Sequence, residues 1–370
     1  MSYTRTALGS VLSVALAVAI IFLDAPYVRS QQASWDAVVK AAEAEGEVAV
    51  RGAPGRNYEE ALAGAFRKAF PKIKLNFTGT AGRDTIPQML REREAGVYTW
   101  DVFVGGASSV LPSLKPAGAL APLKPALILP EILSDASWIN GFDAGWMDNE
   151  QMYNFGFDFS WDPMITVNWD LIKRDELKTF DDLLKPQFSK KMIATDPRVS
   201  GEGSVTAAIL ILNFGEDFAR KLFGTQQVTF STNRRQHAEW LVRGRYPIGF
   251  ATGAEEIASF QKEGLGKNIS IFRAPMPHIV GSSGFGTVSL MDKAPHPNAA
   301  KVYINWLLSK EGQMEWKHTQ RNSRRADVPP VRPDLVPPLG ANNIQKEEFL
   351  ALRENASKLA RDIIPTAAVP

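Results

Sequence analysis

The chain has 370 residues, of which 45% are hydrophobic and 22% charged, and its 42 basic and 40 acidic side chains give a formal net charge of +2. This composition is typical of a globular protein with room for two domains, and the lack of a basic stretch with interleaved aromatics argues against a nucleic-acid partner. The chain contains no cysteine, which excludes disulfides, thiolate metal sites, a cysteine nucleophile and a lipid-modified N-terminal cysteine.

The N-terminus has the pattern of a secretory signal. Arg5 is followed by an uncharged apolar run over residues 7–23 and by a small-residue stretch that ends at Ser30. We therefore predict a signal peptide over residues 1–30, cleavage after Ser30 or Ala33, and a periplasmic mature protein. An uncleaved membrane anchor is the alternative, because the apolar run is near the lower length limit for a bilayer span.

Strand-like and helical segments alternate along the first part of the mature chain. The predicted strands are 47–51, 73–77 and 100–104, and the predicted helices between them are 58–70 and 84–94. This alternation predicts an α/β lobe with a mostly parallel sheet and helices on both faces. Ligands bind outside the carboxyl ends of the strands in such sheets, so loops 52–57 and 105–109 lie on the predicted ligand side.

Aromatic side chains occupy alternate positions from Tyr153 to Trp161. Period two predicts a strand with one aromatic face. A core face is favoured over a stacking platform for a ligand, and Trp161 is the member expected to be exposed. The strand predicted at 164–169 then crosses into a second lobe.

Residues 190–212 combine a short strand, a Ser/Gly loop and a helix. The strand ends at Asp196, the loop runs from Ser200 to Ser204, and the helix is predicted over 205–212. Unpaired amides at a helix N-terminus favour anions, and Arg198 offers a fork that matches carboxylate or phosphate. A plain connector with Ser204 as N-cap and Arg198 in a surface salt bridge remains the alternative.

A second loop of this kind follows the strand predicted at 246–250. Glu255 and Glu256 form either a carboxylate pair or a complement to the dipole of the helix that starts there. The glycine-rich segment 281–286 predicts a hinge or cleft turn. No nucleophile elbow, HExxH motif or ligand-spaced histidine pair occurs, so we predict no catalytic residues and no cofactor.

Four segments, taken in order, resemble bacterial extracellular solute-binding proteins of the ABC-transporter type, in the group that contains ferric-iron-binding proteins. They are WDAVVKAAEAEGEVAV at 35–50, DVFVGGASS at 101–109, TFDDLLKPQFSKKMIATDPRVSGEG at 179–203 and HPNAAKVYINWLLSKEGQ at 296–313. With their spacing, they extend the resemblance over nearly the whole mature chain.

The resemblance implies the two-lobed α/β fold of type II periplasmic-binding proteins, in which hinge strands join two lobes that close on a ligand. The implied division is a first lobe at 31–163 and 276–326, a second lobe at 164–275, and a proline-rich wrap with a final helix at 327–370. Residues 1–30 are the signal peptide.

The ligand-binding residues combine positions carried over from the family's cleft loops with the candidates named above. They are Arg56, Asn57, Ser108, Ser109, Trp161, Asp196, Arg198, Ser200, Gly201, Ser204, Thr252, Gly253 and Glu255. Ferric-binding members carry adjacent tyrosines where this chain has residues 252–256, which contain none. The departure favours a small anionic organic or phosphorylated solute, with Glu255 as the candidate if a metal takes part.

The expected function is therefore that of a monomeric periplasmic receptor that delivers its solute to an ABC permease with a separate ATPase subunit. A ferric-iron or iron-chelate receptor is the alternative, and a receptor for a polyamine- or thiamine-type cation is third. A hydrolase on the same architecture is the rival from another class.

Overall fold

A computed structural model describes residues 34–161 and 165–365. The predicted signal segment lies outside the described residues. The strands are β1 (Glu47–Gly52), β2 (Lys74–Gly79), β3 (Val102–Gly105), β4 (Leu120–Ala121), β5 (Phe155–Gly156), β6 (Ser160–Trp161), β7 (Ile165–Asn168), β8 (Met192–Thr195), β9 (Thr229–Ser231), β10 (Ile248–Phe250), β11 (Ile269–Ile271), β12 (Val280–Ser282), β13 (Thr287–Met291) and β14 (Asn342–Asn343).

Helices connect these strands. The longer helical segments are 34–45, Arg56–Glu59 continued by Glu60–Gly64 and Ala65–Ala69, Gly82–Glu94, Ala107–Ser109 continued by Val110–Leu114, Pro130–Leu133, Glu202–Arg220 continued by Lys221–Thr225, Arg234–Val242, Ala254–Lys262, Pro297–Leu308, Lys310–Glu315 and Leu350–Ile363. Single turns occur at Lys124–Ala126, Asp135–Ser137, Asp143–Gly145, Asp181–Leu184, Pro186–Phe188, Trp316–Thr319, Pro333–Leu335 and Glu347–Phe349. None of the helices within the described ranges has the length and apolar character needed to cross a bilayer.

The first sheet has the order β2-β1-β3-β13-β4, with β5 also paired to β13. Strands β2, β1 and β3 are parallel, whereas β13 runs antiparallel to β3. Val48 and Val50 of β1 are fully buried and belong to a core that includes Phe66 and Tyr303 from the flanking helices. The rings of Phe66 and Tyr303 meet edge to face at 5.2 Å, so helices before and after the second lobe share one core.

The second sheet has the order β11-β7-β10-β8-β9 and its own hydrophobic core. Strands β10, β8 and β9 are parallel, and β7 runs antiparallel to both β10 and β11. The aromatic cluster of Phe180, Phe214 and Phe272 packs beneath this sheet. Each sheet therefore contains one strand that runs against the others, β13 in the first and β7 in the second, and both of these strands enter from the other lobe. The remaining strands of each sheet share one direction, in agreement with the predicted mostly parallel sheets.

Three short strands join the lobes in a third sheet with the order β14-β12-β6. Gly281 of β12 lies opposite Trp161 on one side and Asn343 on the other. These strands come from the three passages of the chain between the first and second sheets. The predicted α/β class with two lobes and hinge strands is confirmed, while the residue boundaries given for each lobe stay predictions.

The helix predicted at 205–212 starts earlier and ends later than expected. It spans Glu202–Arg220, and Gly201 rather than Ser204 occupies the N-cap position. Ser204 lies in the first turn, where its Oγ accepts from the Gly201 amide at 3.2 Å and donates to the Gly201 carbonyl at 2.9 Å. Gly215, with φ 81° and ψ 170°, places a kink within this helical segment.

The alternating aromatics form two short strands, β5 and β6, instead of one long strand. Phe155, Phe157 and Phe159 are buried, so the favoured interpretation as a core face is correct for these three. Further along, the proline-rich segment leads to β14 and to the helix Leu350–Ile363. This helix packs on the Glu202–Arg220 helix of the second lobe through Ala356 and its neighbours.

Candidate ligand-binding cleft

A cleft of about 330 Å³ lies between the two lobes, at the carboxyl ends of the parallel strands. This volume is in the range of small-molecule sites, which is on the order of 300–1,000 Å³. The lining residues are Pro54, Gly55, Asn57, Tyr58, Ala81, Gly82, Gly106, Ser108, Ser109, Thr195, Ser200, Gly201, Glu202, Val205, Thr232, Arg234, Glu256, Ser282, Gly284, Phe285, Arg321 and Gln345.

Several helices begin at this cleft because each follows a strand whose carboxyl end faces it. In the first lobe the helical segments that start at Arg56 and Ala107 follow β1 and β3, and in the second lobe those that start at Glu202 and Arg234 follow β8 and β9. Gly55 makes the entry turn into the first of them with φ 116°, which favours glycine. The first amides of a helix have no partner within it, so the walls of the cleft are rich in hydrogen-bond donors with a positive dipole end.

Arg234 lies between two carboxylates on the second-lobe wall. Its Nε is 3.0 Å from Glu256 Oε1 and its Nη2 is 3.2 Å from Glu256 Oε2, while Nη1 donates to Glu202. The three side chains are between 23% and 31% exposed, so the cluster faces the cleft without being fully solvated. One guanidinium and two carboxylates together present both donors and acceptors to a ligand.

Arg321 is the cation on the opposite side of the cleft. It donates through Nε and Nη2 to the fully buried carboxylate of Asp158 and through Nη2 to the Ser282 carbonyl at 3.3 Å. Trp316 Nε1 also donates to Asp158, at 3.1 Å. Burial raises the pKa of Asp158 to about 6, although Arg321 acts in the opposite direction. The guanidinium is thus fixed at the cleft wall by an anion behind it.

Direct contact between the lobes occurs at one edge of the cleft. Ser200 Oγ of the second lobe donates to the Ser108 carbonyl of the first lobe at 3.3 Å. At the floor, Gln345 donates from Nε2 to Ser282 Oγ at 2.8 Å and to the Gly284 carbonyl at 3.1 Å. The glycine-rich segment 281–286 therefore forms part of the cleft floor.

Five of the residues expected from the sequence line this cleft. They are Asn57, Ser108, Ser109, Ser200 and Gly201. They come from both lobes, and each follows a parallel strand, either in the loop or in the first helical turn after it. Loops 52–57 and 105–109, which the parallel topology placed on the ligand side, therefore contribute Asn57, Ser108 and Ser109 to one cleft.

Several other candidates lie outside the lining. Arg56 is exposed at the start of its helix, and the Arg273 guanidinium lies over the Trp161 ring at 4.2 Å. Thr252 is buried and donates from Oγ1 to Thr166 Oγ1 at 3.1 Å. Gly253, with φ 69°, precedes the helix Ala254–Lys262. The side chain of Glu255 is not among those that the structure describes.

Asp196, Arg198 and Ser204 are not among the residues that line the cleft. Arg198 pairs with Asp196 through Nε at 3.0 Å and Nη2 at 2.8 Å, and its Nη1 donates to the Pro365 carbonyl. This hydrogen bonding raises the pKa of Arg198. Arg198 and Ser204 instead line a second, neighbouring cavity.

Sequence reasoning did not single out the charged groups of the cleft, Arg234, Glu202 and Arg321. For Arg234 the local signal is Asn233, a helix N-cap whose side chain accepts from the Gln236 amide at 3.0 Å. Arg321 gave no local signal, since its partner Asp158 is far away in the sequence.

Metal ligands are not grouped among the described side chains. No set of three or more histidine, aspartate or glutamate residues within the described ranges is placed to hold an ion. Of the described tyrosines, Tyr58 lines the cleft, whereas Tyr98, Tyr153, Tyr246 and Tyr303 do not. Two phenolates are therefore not brought together there.

Comparison with known families agrees with this architecture. Residues 51–314 match the family model for bacterial extracellular solute-binding proteins. The chain belongs to this family. The predicted resemblance to extracellular solute-binding proteins is thus confirmed. With it, a role in binding a small solute outside the cytoplasm, as part of a transport system, is confirmed as well.

Solved structures share the fold of this solute-binding protein at low identity. The Trichodesmium protein IdiA (FutA), in complex with iron and citrate, is 18% identical with a TM-score of 0.63, over 86% of this chain and 99% of that one. AfuA from Actinobacillus pleuropneumoniae, with fructose-6-phosphate bound, is 18% identical with a TM-score of 0.64, over 87% and 99%. The apo ferric ion-binding protein A from Pasteurella haemolytica is 17% identical with a TM-score of 0.68, over 86% and 98%. A comparison with curated proteins finds no significant match.

Proposed function

We propose that this solute-binding protein is the receptor of an ABC importer and that its cleft binds a small polar solute with one anionic group. The observation that carries the proposal is that Arg234 and Arg321 stand on different walls of one cleft at which helices from both lobes begin. A charged hydrogen bond contributes on the order of 1.5–3 kcal/mol, and a helix N-terminus favours negative charge. Arg234 and Arg321 are themselves paired with carboxylates, so a solute anion would exchange for part of these pairs, and the helix N-termini would add to its attraction.

The carboxylates of the cleft limit the charge of that solute. Glu202 and Glu256 balance Arg234 and Arg321, and Asp158 lies directly behind Arg321. A polyanion would meet these acceptors with unfavourable contacts. A solute with one anionic end and several hydroxyl or amino donors would satisfy both kinds of group, so an organic phosphate or a hydroxylated carboxylate fits the lining.

The relatives support more than one ligand class on this fold. AfuA has been observed with fructose-6-phosphate, which has the features that we infer for the solute. IdiA has been observed with iron and citrate, so an iron chelate is the second candidate. A polyamine-like cation fits less well, because both cleft glutamates already bind Arg234.

The rest of the proposal concerns delivery. After secretion through residues 1–30, the protein would work in the periplasm as a monomer, without catalysis of its own, and pass its solute to a permease driven by a separate ATPase subunit. Family membership supports the binding role. Division of labour between receptor, permease and ATPase is the expectation for such importers.

The test begins with native mass spectrometry of the purified mature protein to identify a co-purified solute. A thermal-shift panel of sugar phosphates, hydroxycarboxylates, ferric citrate and polyamines follows, since a ligand that binds only the folded state raises its melting temperature. Arg321→Gln and Arg234→Gln should each weaken the solute by about tenfold or more. Arg243→Gln removes an exposed arginine that pairs with Glu239 outside the cleft and serves as the matched control. A response to polyamines alone, or equal affinity in all three variants, would contradict the proposal.

A further inference from the structure

A second cavity of about 230 Å³ lies beside the cleft, between the Arg198–Ser204 segment and the C-terminal helix Leu350–Ile363. It shares with the cleft two residues, Ser108 and Ser200, which are joined by a hydrogen bond. Its walls bring together three arginines, one glutamate and four serines. Apart from Ser108 and Ser200, these residues do not line the solute cleft.

Arg353 is the most informative residue of this cavity. Arg353 is only 4% exposed. Its Nη1 donates to the Ile344 carbonyl and also to the Lys346 carbonyl, the latter at 2.9 Å. Within the described residues it forms no ion pair, and its buried Nη2 makes no hydrogen bond. Burial lowers the pKa of Arg353 to about 10, so the group is still cationic at neutral pH. The carboxylate of Glu354 acts on this cation through space without forming an ion pair with it. An unsatisfied buried donor calls for a water or an ion.

Arg361 adds a second cation to the same wall. Its Nη1 donates to the Arg198 carbonyl at 2.9 Å, and it is exposed and forms no ion pair with any described carboxylate. Arg198 differs, because Asp196 already neutralises it. Glu354 is the one acidic residue of the lining, so the wall keeps an excess of positive charge.

We propose that this cavity is a second binding site, for a small oxyanion such as phosphate or a carboxylate. Arg353 and Arg361 supply the charge, and the hydroxyl of Ser357 supplies a further donor. The single proton of the Ser200 hydroxyl is already donated to the Ser108 carbonyl. The fork of a guanidinium matches two oxygens of such an anion better than an ammonium does. Because Ser108 belongs to the first lobe and Ser200 to the second, an anion held here contacts both lobes and favours the arrangement in which they meet.

Isothermal titration of the mature protein with inorganic phosphate tests the site. Arg361→Ala should weaken phosphate by about tenfold, and Ser357→Ala by a smaller factor, because each removes a donor from the wall. Lys358→Ala is the matched control, since it removes one positive charge from an exposed position of the same helix outside the lining. Phosphate affinity in this control should stay within about twofold of the wild type.

The same titration contains the outcomes that overturn the proposal. Absence of phosphate binding in the wild type would do so, as would equal weakening in Arg361→Ala and Lys358→Ala. Loss of phosphate binding in Arg321→Gln together with full binding in Arg361→Ala would place the anion in the solute cleft instead. Melting curves of each variant establish that it is folded. Failure of the second site leaves the proposal for the cleft intact, because that proposal rests on Arg234 and Arg321 and the second site on Arg353 and Arg361.

Discussion

Arg321 holds its guanidinium at the wall of the solute cleft by binding the carboxylate of Asp158, which is completely buried behind it. The anion keeps the cation in place but also cancels part of its charge. A solute anion that approaches Arg321 therefore competes with Asp158 for the same guanidinium. Protonation of Asp158 would increase the positive charge that the cleft presents.

The first prediction concerns this carboxylate and the stability of the fold. The pKa of Asp158 is raised by burial to about 6, above the value of about 3.9 expected in the unfolded chain. Between these two values the folded state binds the proton more tightly, so the free energy of unfolding should fall as pH rises from about 4 to about 6, by about 2 kcal/mol. Urea denaturation of the wild type and of Asp158→Asn at several pH values in this range gives the free energy of unfolding of each as a function of pH. The wild type should lose about 2 kcal/mol more than the variant as the pH rises. Parallel curves would contradict it.

His237 should show the opposite dependence. It is fully buried in the helix that starts at Arg234, and burial, with a smaller effect of Arg234, lowers its pKa to about 4. In the unfolded chain this imidazole has a pKa of about 6.5. The contribution of His237 to the free energy of unfolding is therefore complete above that pH, and about 3 kcal/mol is lost as the pH falls towards 4. The loss should be absent in His237→Gln, measured as the difference from wild type at each pH. A wild-type imidazole that titrates near 6.5 by NMR would refute this account.

Gly203 should be intolerant of a side chain. A Cβ at this position would lie 2.5 Å from the carbonyl oxygens of both Thr195 and Asp196, where the helix packs on the end of β8. Gly203→Ala should therefore lower the free energy of unfolding by about 2 kcal/mol through overpacking. Gly224 provides a matched control in the helical segment that follows, because no atom lies within 4 Å of its Cβ position. Gly224→Ala should be neutral or stabilising by up to about 1 kcal/mol, and similar effects of the two changes would rule out the packing argument.

Arg198 should contribute more to the stability of the fold than to the affinity for the cleft solute. It binds Asp196, whose carboxylate is only 7% exposed, so Arg198→Ala leaves a buried charge without its partner and should cost about 2 kcal/mol. The Arg332–Asp334 pair has the same spacing in the sequence but an aspartate that is 45% exposed. Arg332→Ala should therefore cost less than about 1 kcal/mol. Affinity for the cleft solute should change by less than about twofold in Arg198→Ala, and a tenfold loss would return Arg198 to that site.

Much of the architecture could be predicted because it rests on local patterns. The periodicity around β1, β3 and β8 indicated buried strands, and parallel topology then placed Asn57 and Ser108 at a common edge. Strands β9, β12 and β14 were not predicted, since each is only two or three residues long and depends on pairing with distant strands. The one antiparallel strand of each sheet has the same origin.

The charged part of the site was less accessible to sequence reasoning. Arg198 looked like a ligand residue because it follows a strand and precedes a Ser/Gly loop, yet Asp196, two residues earlier, already binds it. Arg321 looked unremarkable because Asp158 is 163 positions away. Which arginine faces a cleft is decided by such distant pairs, and a linear pattern does not contain them.

The third sheet has a mechanical consequence. Gly281 is bonded on one side to the strand of Trp161 and on the other to that of Asn343, so all three passages of the chain between the lobes lie edge to edge. Three connecting segments that were not bonded to one another would let one lobe rotate or slide in several directions relative to the other. A ribbon of three hydrogen-bonded strands is stiff within its own plane and bends easily only across it. The lobes should therefore open along one direction, and each opening should return the same two faces to one another in register.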